Sequence, residues 1–125
     1  MSVLICDDEL MNRRVASKIL KKEGFEVIEA QNAQEAYALL ESEDIKLILM
    51  DLMMPVVDGF EAIIYIKSQE KLADIPIIII SALSSKEAIL KGLSLGATAY
   101  LSKPFDIADF VSKVQTYYQK GAYDV

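Results

Sequence analysis

Residues 47–66 read LILMDLMMPVVDGFEAIIYI, and this stretch decides the fold. Leu47 to Met50 are apolar at every position, as in a strand covered on both faces. The run stops at Asp51. A turn follows around Pro55, and Asp58 with Glu61 three positions on has the cap-and-acid pattern of a helix start. One strand, one acidic corner and one helix therefore follow in order.

Outward from this segment the same unit recurs. Further apolar runs lie at Val3 to Cys6, Phe25 to Ile28, Ile77 to Ile80 and Ala99 to Leu101, with stretches of helical period between them. Met11, Val15 and Ile19 mark one helical face, with Ala16 and Leu20 beside it; Ile107, Phe110, Val111, Val114, Tyr117 and Tyr118 mark the last. Asn32 with Glu35 and Ser84 with Glu87 announce two more helix starts, and Gly24 and Gly96 close the first and fourth helices. Strict alternation predicts a parallel sheet with right-handed crossovers and helices on both faces. The first, third and fourth runs are apolar throughout and belong in the middle, whereas Glu26 and Glu29 flank the second and the fifth is short. The expected fold is α/β: a doubly wound (βα)5 three-layer sandwich, flavodoxin-like, with strand order 2-1-3-4-5. Residues 1–121 form one domain and 122–125 a short C-terminal tail.

Composition narrows the function. The 125 residues are 53% hydrophobic and 26% charged, too apolar for a disordered chain and too charged for a membrane protein. Nineteen acids against 13 bases give a net charge of −6, which argues against direct binding of nucleic acid. No histidine is present, so a Ser-His-Asp or Cys-His pair and a His-ligated metal are excluded. Cys6 is the single cysteine; it ends an apolar run and reads as a small buried hydrophobe, with no disulfide required. No leader or membrane-spanning stretch is legible, and a cytoplasmic location is expected. Met1 lies directly ahead of the first strand, an arrangement expected without a large upstream domain, and Val125 is either a natural end or a boundary before an output domain.

In an open α/β sheet, ligands bind beyond the carboxyl ends of the strands. Asp7 and Asp8 follow the first strand, Asp51 the third, Ser81 the fourth, and Ser102 and Lys103 the fifth. Each alone could be a turn or helix-terminal residue; together they converge on one rim. Three carboxylates in one cleft, at about 4.5 Å and an effective dielectric near 20, repel by roughly 3 to 4 kcal/mol per pair. Such a cluster takes up protons or a cation, and oxygen donors without His or Cys suit a hard ion, Mg²⁺ before Ca²⁺ or Zn²⁺. Mg²⁺ favours one or two carboxylates plus water and a phosphate oxygen, so a phosphoryl group is the natural substrate, with Lys103 and Ser81 supplying charge and a hydrogen bond.

These residues resemble the receiver domains of two-component response regulators. The resemblance spans nearly the whole chain and rests on Asp7-Asp8-Glu9, on Asp51-Leu52-Met53-Met54-Pro55 followed by Asp58-Gly59, on Ser81-Ala82, and on Tyr100 ahead of Lys103-Pro104-Phe105. It implies that Asp51 is the phosphoacceptor, receiving its phosphoryl group from a phosphohistidine on a sensor histidine kinase or a histidine phosphotransfer protein. Asp7 and Asp8 would be the acidic pair at Mg²⁺, with Asp8, Asp51 and the Met53 carbonyl as ligands. Lys103 would pair with the carboxylate and then the phosphoryl oxygens, across a Lys-Pro bond that the family commonly makes cis. Ser81 and Tyr100 would be the switch pair, remodelling the surface of the fourth helix, fifth strand and fifth helix toward a downstream protein or an output domain. The chain would be a switch with only intrinsic autophosphorylation and autodephosphorylation, not an enzyme with a turnover substrate.

Three positions qualify the match. Ser81 replaces the frequent Thr, keeping the hydroxyl but loosening its rotamer. Met53 and Leu83 are apolar where the family tunes the acyl phosphate's lifetime, so neither can steer an attacking water. Lys113 and Gln115 stand where regulators that dimerise through this face often carry a basic pair, so that pair is incomplete. Other readings fit less well. A haloacid dehalogenase type phosphotransferase needs Asp-x-Asp after one strand, whereas Asp7 and Asp8 are adjacent and Asp51-Leu52-Met53 lacks the second acid. A flavodoxin-like electron carrier needs a Ser/Thr-rich phosphate loop, and Asp7-Asp8 would repel the phosphate. An unphosphorylated binding module on the same fold would not need this full set of site residues.

Overall fold

The computed structural model describes residues 1–123. Its elements alternate strictly: β1 (Ser2–Cys6), α1 (Leu10–Lys22), β2 (Val27–Ala30), α2 (Ala33–Ser42), β3 (Ile45–Met50), α3 (Gly59–Ser68), β4 (Ile77–Ser81), α4 (Lys86–Ser94), β5 (Ala99–Ser102) and α5 (Ile107–Tyr123). All neighbouring strands pair in parallel, in the order β2-β1-β3-β4-β5. The expected arrangement is borne out, and its cause is visible in burial. β1 and β4 are buried at every residue, while three of the four residues of β2 are only partly covered.

The pleat sends alternate side chains to opposite faces and builds two core layers. Leu4, Cys6, Ile48, Met50, Ile77 and Ile79 meet α2 and α3 through Ala36, Leu40, Ile63 and Ile66. Val3, Ile5, Leu47, Leu49, Ile78 and Ile80 meet α1 and α5 through Leu20, Phe110 and Val114. Asn32 and Asp58 cap α2 and α3, each side chain accepting from the backbone N–H of the glutamate three residues on, as the sequence pattern implied. Gly24 and Gly96 have φ of +93° and +117°, as expected beyond a helix C-terminus.

Four local expectations need correction. β2 starts at Val27 rather than Phe25, because the Phe25 N–H is taken by the Leu20 carbonyl and its ring packs with the α1–α5 layer. The α1 face that turns inward is Ala16, Ser17 and Leu20; Met11 and Val15 are 71% and 50% exposed. On α5, Phe110 and Val114 are buried but Ile107 is exposed. The cap of α4 is Ser85, whose hydroxyl accepts from the Ala88 N–H, rather than Ser84, since burying Ala88 and Gly92 fixes the helix one residue later. α5 continues to Tyr123, and of the expected tail Asp124 and Val125 lie outside the described residues.

Candidate functional site

β1 and β3 are adjacent, and an acid directly follows each. The Asp51 N–H donates to the Cys6 carbonyl at 3.0 Å and the Asp7 N–H to the Ala30 carbonyl at 3.1 Å, so backbone ladders fix both acids at one rim. Asp7 and Asp51 are buried and Asp8 is exposed. One carboxylate oxygen from each of Asp7, Asp8 and Asp51 lies within 4.8 Å of the others. From β5, the Lys103 ammonium donates to Asp7 Oδ2 at 2.8 Å and Asp51 Oδ2 at 3.2 Å. The remaining oxygens accept backbone N–H groups: Asp7 Oδ1 from Glu9 at 2.9 Å and Asp51 Oδ1 from Met53 at 3.2 Å. The Met53 side chain points into solvent, 60% exposed. The Lys103–Pro104 peptide is cis.

Burial is the main cause that raises the Asp51 pKa above the ordinary carboxylate value; Lys103 opposes it and Asp7 adds to it. Burial works against the Lys103 ammonium, but its bond to Asp7 and the charges of Asp51 and Asp7 outweigh that and raise its pKa. Cys6 sits just inside the site with its thiol against the Met54 sulfur. Burial first, then Asp7 and Asp51, push that thiol up to about 12, so Cys6 is the inert hydrophobe that the sequence suggested. One ammonium against three carboxylates leaves a formal −2. An all-oxygen donor set of that charge fits a hard divalent cation.

Ser81 is the last residue of β4, fully buried, and its hydroxyl accepts from the Leu83 N–H at 3.2 Å. Tyr100, on β5, donates its phenol O–H to the Leu83 carbonyl. The two residues read as a switch pair therefore meet at one residue, Leu83, in the loop leading to α4. Ser102 lies opposite Ser81 in the β4–β5 register.

A glycine explains why α3 can start so close to this rim. A Cβ on Gly59 would strike the Asp51 carbonyl oxygen and lie 2.6 Å from the Leu52 Cα. The Gly59 N–H donates to the Leu52 carbonyl at 3.0 Å, which closes the loop carrying Met53 back onto the sheet.

Comparison with known proteins settles the family. The model of the response regulator receiver domain matches residues 3–115. The chain belongs to the response regulator receiver family. It is similar to the transcriptional regulatory protein CusR of Escherichia coli, 37% identical over 122 residues, covering 98% of this chain and 53% of that protein. It is also similar to the phosphate regulon transcriptional regulatory protein PhoB of Pseudomonas aeruginosa, 35% identical over 114 residues, covering 91% and 50%. The receiver thus spans about half the length of these relatives. Among solved structures, the chemotaxis protein CheY4 of Vibrio cholerae superposes with a TM-score of 0.88 at 31% identity, over 93% of this chain and 97% of that one. The receiver domain of the Francisella response regulator 1452 gives 0.89 at 30%, over 95% and 97%. The receiver is accordingly a signalling module of the two-component type. No described helix is long and apolar enough to cross a membrane.

Two features of the receiver's site were not read from the sequence. Arg13, from the N-terminal part of α1, donates to the Asp7 carbonyl at 2.8 Å. Its only sequence signal is a cation near a helix N-terminus, where the dipole favours acids. The second is a cleft of about 510 Å³ that opens at Asp7, Asp51 and Lys103 and runs between α1 and α5 over Ile5, Leu49 and Phe105. Val15 lines its edge, which explains why that residue is apolar without belonging to the core.

Proposed function

We propose that Asp51 is the phosphoacceptor of this receiver. A carboxylate oxygen of Asp51 bonds to phosphorus as the phosphorus–nitrogen bond of a phosphohistidine breaks, and the electron pair leaves with the imidazole. These 125 residues hold no histidine, so the donor imidazole lies outside them, on a sensor histidine kinase or a histidine phosphotransfer protein. The observation that carries this reading is the Lys103 ammonium held between Asp7 and Asp51, at 2.8 and 3.2 Å, beside an exposed third carboxylate. Asp7 makes the shorter bonds, 2.9 Å from the Glu9 N–H and 2.8 Å from Lys103 against 3.2 Å for both bonds of Asp51. Asp7 is therefore the one that orients Lys103, and Asp51 and the exposed Asp8, with the Met53 carbonyl, are the residues that would hold Mg²⁺. The cation supplies positive charge for the phosphoryl oxygens, which bring roughly two negative charges into an already acidic site. Lys103 keeps its bond to Asp7 and turns its remaining donors to the phosphoryl group.

Signalling follows from Ser81. Its hydroxyl leaves the Leu83 N–H for a phosphoryl oxygen, and Leu83, which also holds Tyr100, shifts with it; Tyr100 then turns inward and α4, β5 and α5 present a changed surface. The recipient is a downstream protein or an output domain. Several relatives are transcriptional regulators by name. In this acidic chain, contact with DNA would fall to such a partner or output domain rather than to the receiver's own surface. Self-phosphorylation from a small acyl phosphate and self-dephosphorylation by water are the only chemistry assigned to the chain. Intact-mass spectrometry with acetyl phosphate tests the reading: a phosphoryl gain that needs Mg²⁺ and disappears in Asp51→Asn is expected. A gain unaffected by that substitution, or none in the wild type, rejects it.

A further inference from the structure

We propose that Arg13 is a positioning residue for metal uptake, acting through the peptide that joins Asp7 to Asp8. This inference rests on reading the acidic rim as the Mg²⁺ site. Every polar atom of Asp7 is engaged: its N–H with the Ala30 carbonyl, Oδ1 with the Glu9 N–H, Oδ2 with Lys103, and its carbonyl oxygen with Arg13 Nη1 at 2.8 Å. The first three fix the Asp7 residue. The fourth fixes something else, because the Asp7 carbonyl lies in the plane of the peptide leading into Asp8. Asp8 is exposed, so the direction of its carboxylate depends on the backbone that carries it. Holding that peptide plane holds Asp8 facing Asp51.

Arg13 is itself held. Its side chain is only 11% exposed, and Nε lies 3.5 Å from Glu29 Oε1 on the edge strand β2. The guanidinium thus bridges β2 to the end of β1, a geometry that a fork of fixed N–H donors suits better than a flexible ammonium. A cation here runs against the helix dipole, and Arg13 pairs with Glu29 on β2 rather than with Glu9 at the N-cap of α1. Helix stability therefore does not account for an arginine at this position, whereas the brace on Asp7 does. Residues that orient metal ligands commonly change metal affinity about 10- to 100-fold when replaced.

Calorimetric Mg²⁺ titration of the whole chain, with metal-free melting as the control for packing, tests the proposal. Arg13→Met is expected to weaken Mg²⁺ binding about tenfold. Arg13→Lys, able to donate to the carbonyl but without the fixed fork that also reaches Glu29, is expected to recover part of that loss. Glu29→Gln leaves the carbonyl bond in place and is expected to change affinity by less than about threefold. Arg13→Gln serves in place of Arg13→Met if the latter does not fold, with the same loss expected. A folded Arg13→Met with wild-type affinity overturns the proposal. So does an Arg13→Lys as weak as Arg13→Met when all variants lose affinity in step with metal-free melting temperature. A wild type that binds no Mg²⁺ rejects the metal reading of the rim itself.

Discussion

Asp51 and Lys103 depend on each other, and their titration carries a definite sign. Burial raises the Asp51 pKa, so the native state holds its proton to higher pH than the unfolded chain does. Metal-free stability therefore falls as pH rises from the ordinary carboxylate range through the raised value. Lys103 is raised as well; its contribution is complete below the ordinary lysine value and is lost as pH climbs through the folded one. Asp51→Asn removes the first dependence. Without metal at neutral pH the variant is expected to melt higher than wild type, and between acid and neutral pH its stability should fall less; a wild type that is the more stable at neutral pH contradicts this. Lifetime is set nearby. Met53 and Leu83 bring no polar side-chain group to the attacking water, so the acyl phosphate is expected to last well beyond seconds once acetyl phosphate is removed, as measured by intact mass over time. A half-life of seconds contradicts that account.

The elements carry the site as much as the residues do. Gly59→Ala would push α3 off the Asp51 carbonyl, so both stability and phosphoryl uptake are expected to fall together, read by denaturant melts and intact mass. Asn32→Ala, which removes only the side-chain cap of α2, is expected to cost about 1 kcal/mol in the same melts with uptake unchanged. Val56, 89% exposed, has φ of +69°, and the Val57 N–H donates across it to the Pro55 carbonyl. A β-branched residue is strained at the centre of such a γ-turn, so Val56→Gly, with no Cβ, is expected to stabilise by up to about 1 kcal/mol. The sheet order was legible because strands buried on both faces leave unbroken apolar runs and edge strands do not. The rim was legible because an acid straight after such a run has few structural uses. What escaped depends on tertiary partners: Phe25 looks like strand until the end of α1 claims it, Met11 and Val15 look like core until the cleft beside α5 exposes them, and Arg13 looks like surface until the Asp7 carbonyl meets it.

For the whole molecule, the site's formal −2 is part of a net −6, so most of the acid excess lies elsewhere on the surface. The missing histidine has the larger consequence, since it puts any phosphohistidine donor outside these 125 residues. The rim's donors are carboxylate oxygens assembled only in the folded chain, so global stability reads out binding of a hard cation. Mg²⁺ at about a hundred times its dissociation constant is expected to stabilise the fold by about 2.7 kcal/mol, with a much smaller gain in Asp51→Asn. The most direct test of the central claim is to phosphorylate the chain with acetyl phosphate and Mg²⁺, reduce it with borohydride and map the peptides by mass spectrometry. Reduction of an aspartyl phosphate leaves homoserine, and the account expects it at position 51 alone and only when Mg²⁺ is present. Homoserine at Asp7 or Asp8, or none at position 51 after Mg²⁺-dependent labelling, would contradict it.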